Sequence, residues 1–312
     1  MIDITHKPTT LRSATAQAIV RASDPRTINA VRQGTVPKGN VLESARVAAL
    51  FGVKKTHELI PDCHPLPIEH AECSFELGEM DITITMRVRT IYRTGVEVEA
   101  MHGASVAALT MYDMLRPIDK GIELHAIKLI EKKGGKSDFR SRYRDALTAT
   151  VIVCSDTISK GKKEDKAGKA IMAKLEACGV RIAHQAVIPD ETSDIQQQVR
   201  DAVERGSDMV IFTGGTGLSP RDVTPEALRP LLEREIPGIA EVVRDFGQAR
   251  TPYAMLSRAL AGTIGTTLVL ALPGSTKGAT ESMDALFPPL LHLFGIMRSA
   301  AHDGPDVPVQ LQ

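Results

Sequence analysis

Thr213-Gly214-Gly215-Thr216-Gly217-Leu218-Ser219-Pro220-Arg221-Asp222-Val223-Thr224-Pro225-Glu226 is the stretch on which the fold of this chain turns. The apolar run Met209-Val210-Ile211-Phe212 enters it as a buried parallel strand does. Thr224-Pro225-Glu226 leaves it as an N-cap, a first-turn proline and an acidic first turn. The order is strand, glycine loop, helix. Gly214, Gly215 and Gly217 let backbone N–H groups turn toward an anion with no Cβ in the way, and the helix N-terminus adds its positive dipole end. Such a loop suits a phosphate. It is not a Walker A loop, because no Gly-Lys-Ser/Thr follows and the charged residues are Arg221 and Asp222. A carboxylate repels a bare phosphate but is useful where Mg²⁺ sits between them, since Mg²⁺ is usually held by one or two carboxylates plus substrate phosphates. The same residues also fit a turn that only closes an α/β unit, with Asp222 as a solvated cap.

Working outward, the second half alternates strands and helices. Thr148 to Cys154 reads as a buried strand. A helix over 165–178, a strand over 180–188, a helix over 191–205 and a strand over 208–213 lead to the loop. Helices near 225–234 and 238–246, a strand over 266–272 and a long C-terminal helix from about 276 follow. This predicts an α/β doubly wound parallel sheet, with ligands where loops leave the carboxyl ends of strands. Four loops do so with polar groups: Ser155-Asp156-Thr157, Pro189-Asp190-Glu191, Thr213 to Asp222, and Pro273-Gly274-Ser275. Asp190 fits a helix cap as well as a site, and Ser257 fits a turn.

Length and charge bound the rest. A chain of 312 residues exceeds the size at which single cores stop growing, so two domains are expected, over 1–140 and 146–312. The junction, 131–146, is rich in Lys and Arg and reads as a solvated linker. Aromatics are 4% with no Trp, which argues against base stacking, and 38 basic residues balance 38 acidic ones, so no basic field points to nucleic acid. Cys63, Cys73, Cys154 and Cys178 form no C-x-x-C pair and read as reduced thiols. With no signal-type segment and no apolar run of membrane-spanning length, a soluble, cytoplasmic protein without a membrane partner is expected.

In the first half, 40–59 reads as a helix stopped by Ile60-Pro61-Asp62-Cys63-His64-Pro65-Leu66-Pro67, which displays His64 on a stiff turn. From Asp81, Ile82, Ile84, Met86 and Val88 alternate with Thr83, Thr85, Arg87 and Arg89 as a half-buried antiparallel strand. A helix from Val96 to about Leu115 is expected to bury Val98, Met101, Ser105, Ala108, Tyr112 and Leu115, and a strand over 122–129 follows. Strand, strand, helix, strand suggests an α+β ferredoxin-like unit. Helix-dipole complementation accounts for Glu97 and Glu99, and an i,i+3 ion pair for Asp113 with Arg116, if each is taken alone.

Taken together, Met1-Ile2-Asp3-Ile4, Lys38-Gly39-Asn40-Val41, Lys54 to Leu66, Thr94-Gly95-Val96-Glu97-Val98-Glu99-Ala100, Met111-Tyr112-Asp113-Met114 and Lys133-Gly134-Gly135-Lys136-Ser137 resemble MoaC, the cyclic pyranopterin monophosphate synthase family. The resemblance implies conversion of 3′,8-cyclo-dihydro-GTP to cyclic pyranopterin monophosphate, an early step of molybdenum cofactor synthesis needing no cofactor. It implies a hexamer with sites between subunits. It casts Lys38, Asp113 and the residue at Arg116 as catalytic, and Asp3, Arg12, Lys54, Cys63, His64, Glu97 and Glu99 as substrate contacts. Arg116 departs from the family's Tyr-Asp-Met-x-Lys; Arg cannot give up a proton, so it suits a phosphate-holding role.

The second half, on Thr213 to Glu226 and Leu272-Pro273-Gly274, resembles the MoaB and Mog molybdopterin adenylyltransferases, which act as trimers or hexamers. That resemblance implies Mg²⁺-dependent transfer of AMP from ATP to molybdopterin. Asp190 and Asp222 would be catalytic and metal-holding. Thr213, Gly214, Gly215, Thr216, Gly217, Gly274 and Ser275 would bind nucleotide, and Ser257 would bind the pterin. A bifunctional enzyme is expected, with a scaffold-only first domain or a nonenzymatic pterin carrier as rivals.

Overall fold

The computed structural model of the chain describes residues 1–135, 138 and 147–298. The junction expected over 131–146 and the Lys136-Ser137 end of the Gly-Gly-Lys motif lie mostly outside the described residues. Two compact units divide the chain, Met1–Phe139 and Arg140–Gln312.

The first unit runs β1 (Thr10–Arg21), α1 (Pro25–Gln33), α2 (Val41–Lys54), a single turn α3 (Thr56–Leu59), β2 (His70–Leu77), β3 (Asp81–Tyr92), α4 (Glu97–Leu115) and β4 (Glu123–Lys133). Its sheet has the order β2-β3-β1-β4, with every neighbouring pair antiparallel. Strand β3 thus lies between β1 and β2, the split crossover of a ferredoxin-like α+β unit. Strand β1 was not anticipated. It alternates like β3, but its inward residues are Ala14, Ala16, Ala18 and Val20, too small to stand out against the sequence.

Helix α4 corrects the expected stripe. Val98 is exposed and Met101, Ser105 and Tyr112 are only half-buried, whereas Ala100, Gly103, Ala104, Ala107, Ala108 and Met111 are buried. Small residues face inward because α4 lies very close to α2: a Cβ on Gly103 would come within 2.5 Å of Val53 Cγ2. Ala108 and Leu115 of the expected stripe are buried, with Met111 and Met114 beside them, while Val98 and Leu109 face out.

After α4, Asp119 is 5% exposed and accepts from the backbone N–H groups of Ser23 (2.9 Å) and Gly121 (2.9 Å) and from the hydroxyls of Ser23 and Thr27. Burial pushes its pKa up, but these donors outweigh it and hold the carboxyl below its ordinary value. Its contribution is therefore present above the unfolded carboxylate pKa and fades as pH falls through the folded value. Asp119→Ala, which orphans buried donors, should cost about 2 kcal/mol in urea denaturation at neutral pH, with a smaller difference from wild type in acid.

The second unit runs β5 (Thr148–Cys154), α5 (Asp156–Ser159), α6 (Ala167–Ala177), β6 (Arg181–Ile188), α7 (Thr192–Glu204), β7 (Met209–Thr213), α8 (Thr224–Leu228), β8 (Arg234–Glu235), α9 (Pro237–Gln248), β9 (Leu260–Ile264), β10 (Thr267–Leu272), α10 (Thr276–Leu286) and α11 (His292–Arg298). The sheet order is β6-β5-β7-β10-β9-β8. The four strands from β6 to β10 are parallel, while β9 and β8 are antiparallel additions at one edge, a correction to a wholly parallel sheet. Ile171, Val243 and Met283, from α6, α9 and α10, pack in one core, and Ile195, Val199 and Leu228, from α7 and α8, in the other. The sheet is thus covered on both faces. The expected long C-terminal helix stops at Leu286, before Pro288 and Pro289.

Candidate functional sites

In the second unit the chain steps from β5 to β6 and then crosses to β7 on the other side of β5, so the topology reverses where these carboxyl ends meet. The glycine loop is built into that point. Gly214 has φ +102, and a Cβ there would lie 2.1 Å from the Cys154 carbonyl oxygen. A Cβ on Gly274 would lie 2.8 Å from Gly214 Cα, so both positions must be glycine for the loops after β5, β7 and β10 to converge. Gly214 N–H donates to Leu272 O (3.2 Å) and Thr213 Oγ1 to Pro273 O (2.8 Å), which fixes the Leu272-Pro273-Gly274 turn against the loop.

Asp190 reaches the same loop from β6. A Cβ on Gly215 would fall 2.7 Å from Asp190 Oδ1, and one on Gly217 2.8 Å from Asp222 Oδ2, so the two carboxylates flank the glycines. Asp190 Oδ2 accepts from Asp156 N–H (3.2 Å), but Oδ1 is buried without a hydrogen-bond partner. Burial raises the Asp190 pKa; the Asp156 N–H opposes the rise and the charges of Asp156 and Asp222 add to it. Asp222 Oδ2 accepts from Ser219 N–H (2.8 Å) and so also closes its own turn. An orphaned buried carboxylate oxygen beside a second carboxylate fits a hard divalent cation completed by phosphate oxygens, although no three His, Cys, Asp or Glu residues converge on a point among the described residues.

Two arginines brace this arrangement. Arg221 donates from Nε and Nη2 to Asp156 (3.1 Å each) and from Nη2 to Glu191 (2.9 Å), tying the loops after β5 and β6 to the glycine loop and holding the Asp156 pKa down. Arg258 grips the loop from the other side. Sequence reasoning noted Arg221 only as a charge and Glu191 only as part of a polar loop, and it missed Arg258; their partners lie 30 or more residues away.

A cavity of about 330 Å³ adjoins the loop, with Thr216, Gly217, Tyr253, Ser257, Gly274 and Ser275 in its wall. It brings together the expected pterin contact and much of the expected nucleotide set. Ser275 Oγ also caps α10, accepting from Gly278 N–H (3.1 Å).

In the first unit the expected residues fall into separate groups. Lys38 Nζ bonds Asp113 Oδ2 (2.8 Å) and Asp113 O (2.9 Å), in place of the anticipated Asp113–Arg116 pair. The Arg116 guanidinium instead lies 6.0 Å from the centre of the Tyr112 ring. Lys54 is exposed at the end of α2. At the opposite end of α4, Glu99 is 4% exposed, and burial raises its pKa, with Glu97 adding to the rise. Burial likewise raises the Cys63 pKa, with the charges of Glu99 and Asp62 adding, so this thiol stays protonated. His64 Nε2 donates to Ile2 O (2.8 Å), drawing the segment with Asp3 to the proline turn; Asp3 accepts from Thr5. Arg12, 7% exposed, donates to Tyr92 O (3.2 Å) and opens on a polar cavity of about 340 Å³ with Lys7, Arg93, Glu97, Lys132 and Asp138. Glu97 pairs with Lys132 there (3.1 Å). Five cations, Lys133 included, against two acids give this cavity a charge that suits a polyphosphate.

A polar, cation-rich cavity in one unit and a carboxylate-flanked glycine loop in the other suit two separate sites for small phosphorylated molecules. Residues 1–135 match the MoaC family, and residues 150–292 match the family described as a probable molybdopterin binding domain. A molybdenum cofactor biosynthesis bifunctional protein of Chlorobaculum tepidum is 38% identical over 302 residues, covering 97% of this chain and 96% of its own. A cyclic pyranopterin monophosphate synthase of Geotalea uraniireducens is 51% identical over 149 residues, 46% of this chain and 91% of its own. The crystal structure of the molybdopterin biosynthesis enzyme MoaB from Thermus thermophilus is 42% identical, covers 48% of this chain and 96% of its own, and gives a TM-score of 0.46. The chain belongs to the family of bifunctional molybdenum cofactor biosynthesis proteins, with a MoaC domain followed by a molybdopterin-binding domain. No helix among the described residues is long and apolar enough to cross a membrane.

Proposed function

We propose that the first unit converts 3′,8-cyclo-dihydro-GTP to cyclic pyranopterin monophosphate and pyrophosphate, and that the second transfers AMP from ATP to molybdopterin. The observation that carries the second activity is the orphaned Asp190 oxygen facing the glycine loop. Magnesium held by Asp190 and Asp222 would neutralise the phosphates of ATP. The loop from Gly214 to Gly217 would cradle those phosphates, and Ser257 with Ser275 would hold the pterin and nucleotide in the adjoining cavity. The terminal phosphate oxygen of molybdopterin attacks the α-phosphorus, the α–β bridge breaks, and pyrophosphate leaves. Positioning and charge neutralisation supply most of the rate. Release of pyrophosphate from ATP only when molybdopterin is present tests this in the full-length protein; ATP turnover indifferent to molybdopterin counts against it.

For the first unit, the polar cavity around Arg12 would hold the triphosphate while Glu99, whose hold on a proton burial strengthens, serves as the acid and Asp113 with Lys38 serves the ring rearrangement. Glu99 and Asp113 lie on one rigid helix, fourteen residues or about 21 Å apart, further than one nucleotide spans. A homo-oligomer, trimer or hexamer, in which a neighbouring copy completes each site, reconciles both groups with one substrate.

Arg116, over Tyr112 rather than bonded to Asp113, fits a phosphate-holding cation. Arg116→Lys should therefore change turnover of cyclised GTP by less than about fivefold, as expected for exchange of one cation for another at an exposed site. A large gain on restoring Lys would instead assign a proton-transfer role to this position.

A further inference from the structure

We infer that Arg258 is a positioning residue that locks the glycine loop in its anion-receiving form and anchors it to the pterin wall of the neighbouring cavity. The inference rests on the adenylyltransferase reading for its consequence but not for its geometry. Arg258 follows Ser257 and precedes the buried Ala259 and Leu260, the latter opening β9 and pairing with Ala271 of β10. Its stem is thus rooted in the sheet beside the Pro273-Gly274 exit. Its guanidinium spans the loop from end to end: Nε donates to Gly217 O (2.8 Å), Nη2 to Asp222 O (2.6 Å), and Nη1 bonds Glu226 at the start of α8. Only a planar fork with several donors satisfies three such acceptors at once.

The consequence is local and directional. In a trans peptide the N–H points opposite the carbonyl, so holding Gly217 O and Asp222 O fixes where the Leu218 and Val223 N–H groups point. Holding the Asp222 carbonyl also fixes the backbone from which the Asp222 carboxylate reaches toward Gly217. The preceding residues Tyr253, Ala254, Leu256 and Ser257 line the cavity, so one side chain joins the wall read as pterin-binding to the loop read as phosphate-binding. Nothing else among the described hydrogen bonds links residues 251–258 to the loop.

The test uses the full-length protein with Arg258→Gln and Arg258→Lys. Hydrogen exchange without ligands should show the amides of Gly217 to Val223 exchanging at least about tenfold faster in Arg258→Gln, with β9 and β10 unchanged and Arg258→Lys intermediate. Calorimetric titration should then show Mg²⁺ with α,β-methylene-ATP bound at least about tenfold more weakly by Arg258→Gln, while molybdopterin affinity stays within about twofold. Unchanged exchange in the loop overturns the inference, as does faster exchange spread through β9 and β10, which marks a merely structural role. Equal loss of both affinities also overturns it. If wild type binds neither ligand, the adenylyltransferase reading fails, and the exchange result still decides what Arg258 does.

Discussion

Asp190→Asn is expected to abolish Mg²⁺-dependent adenylyl transfer, lowering kcat by at least about a hundredfold, the usual cost of removing one preorganised charge partner from a reacting phosphate or oxyanion. The substitution keeps the shape of the side chain, and the amide oxygen of Asn can take the place of Oδ2 as acceptor for the Asp156 N–H. What it removes is the charge on a buried oxygen without a protein partner. The effect on stability should run the other way. Because the folded pKa of Asp190 is raised, the ionised carboxylate opposes folding, and stability drops as pH rises from the unfolded to the folded value. At neutral pH the Asn variant should therefore melt no lower than wild type, which separates a lost site from a lost fold. In the metal-free protein the same raised pKa means that Asp190 takes up its proton at higher pH than an ordinary carboxylate does, so Mg²⁺ must compete with that proton as pH falls. Asp222→Asn should resemble it, and the double variant should be no worse than the single ones, since both carboxylates would serve one ion. Near-normal turnover by Asp190→Asn, with Mg²⁺ still required, would remove this carboxylate from the metal.

How much of this was legible depended on which atoms carry the contacts. The glycine loop could be read because its requirements are written in residue type: only glycine tolerates the φ of Gly214 and the approach of the Cys154 carbonyl. The carboxylates Asp190 and Asp222 sit where strand ends predict them, because parallel topology dictates where loops emerge. Strand β1 and the buried face of α4 were not legible, since alanine and glycine carry little hydrophobic signal although they fill much of the core and, at Gly103, let α4 approach α2 closely. Strand β9 escaped because only Thr263 and Ile264 of Leu260-Ala261-Gly262-Thr263-Ile264 are of the β-branched type that marks a strand. Arg258 was invisible for a different reason. Two of its three partners are main-chain oxygens, 41 and 36 residues away, and a carbonyl has no residue type.

The grouping of the first unit leads to the other large effect. Glu99→Gln and Asp113→Asn should each nearly abolish turnover of cyclised GTP, because one removes the buried proton donor and the other the carboxylate paired with Lys38. Neither should unfold the protein, since Gln keeps the shape of the buried Glu99 side chain and brings no charge with it, and Asp113 is exposed. Mixed during assembly, however, the two inactive variants should recover activity. Helix α4 holds Glu99 and Asp113 about 21 Å apart within one copy, so a site built across an interface takes one residue from each of two copies. In a random equal mixture about a quarter of the interfaces pair an intact Glu99 from one chain with an intact Asp113 from the other, and recovery near that fraction of wild type is expected. The double variant Glu99→Gln with Asp113→Asn, mixed with wild type, serves as the control: half the chains then carry both intact residues, and again about a quarter of the interfaces are complete. If each site lay within a single copy, the mixed single variants would stay inactive while this control kept about half of wild-type activity. Activity near zero in the first mixture and near half in the second would therefore place the whole reaction on one chain, and would require α4 to bend or the substrate to be read differently.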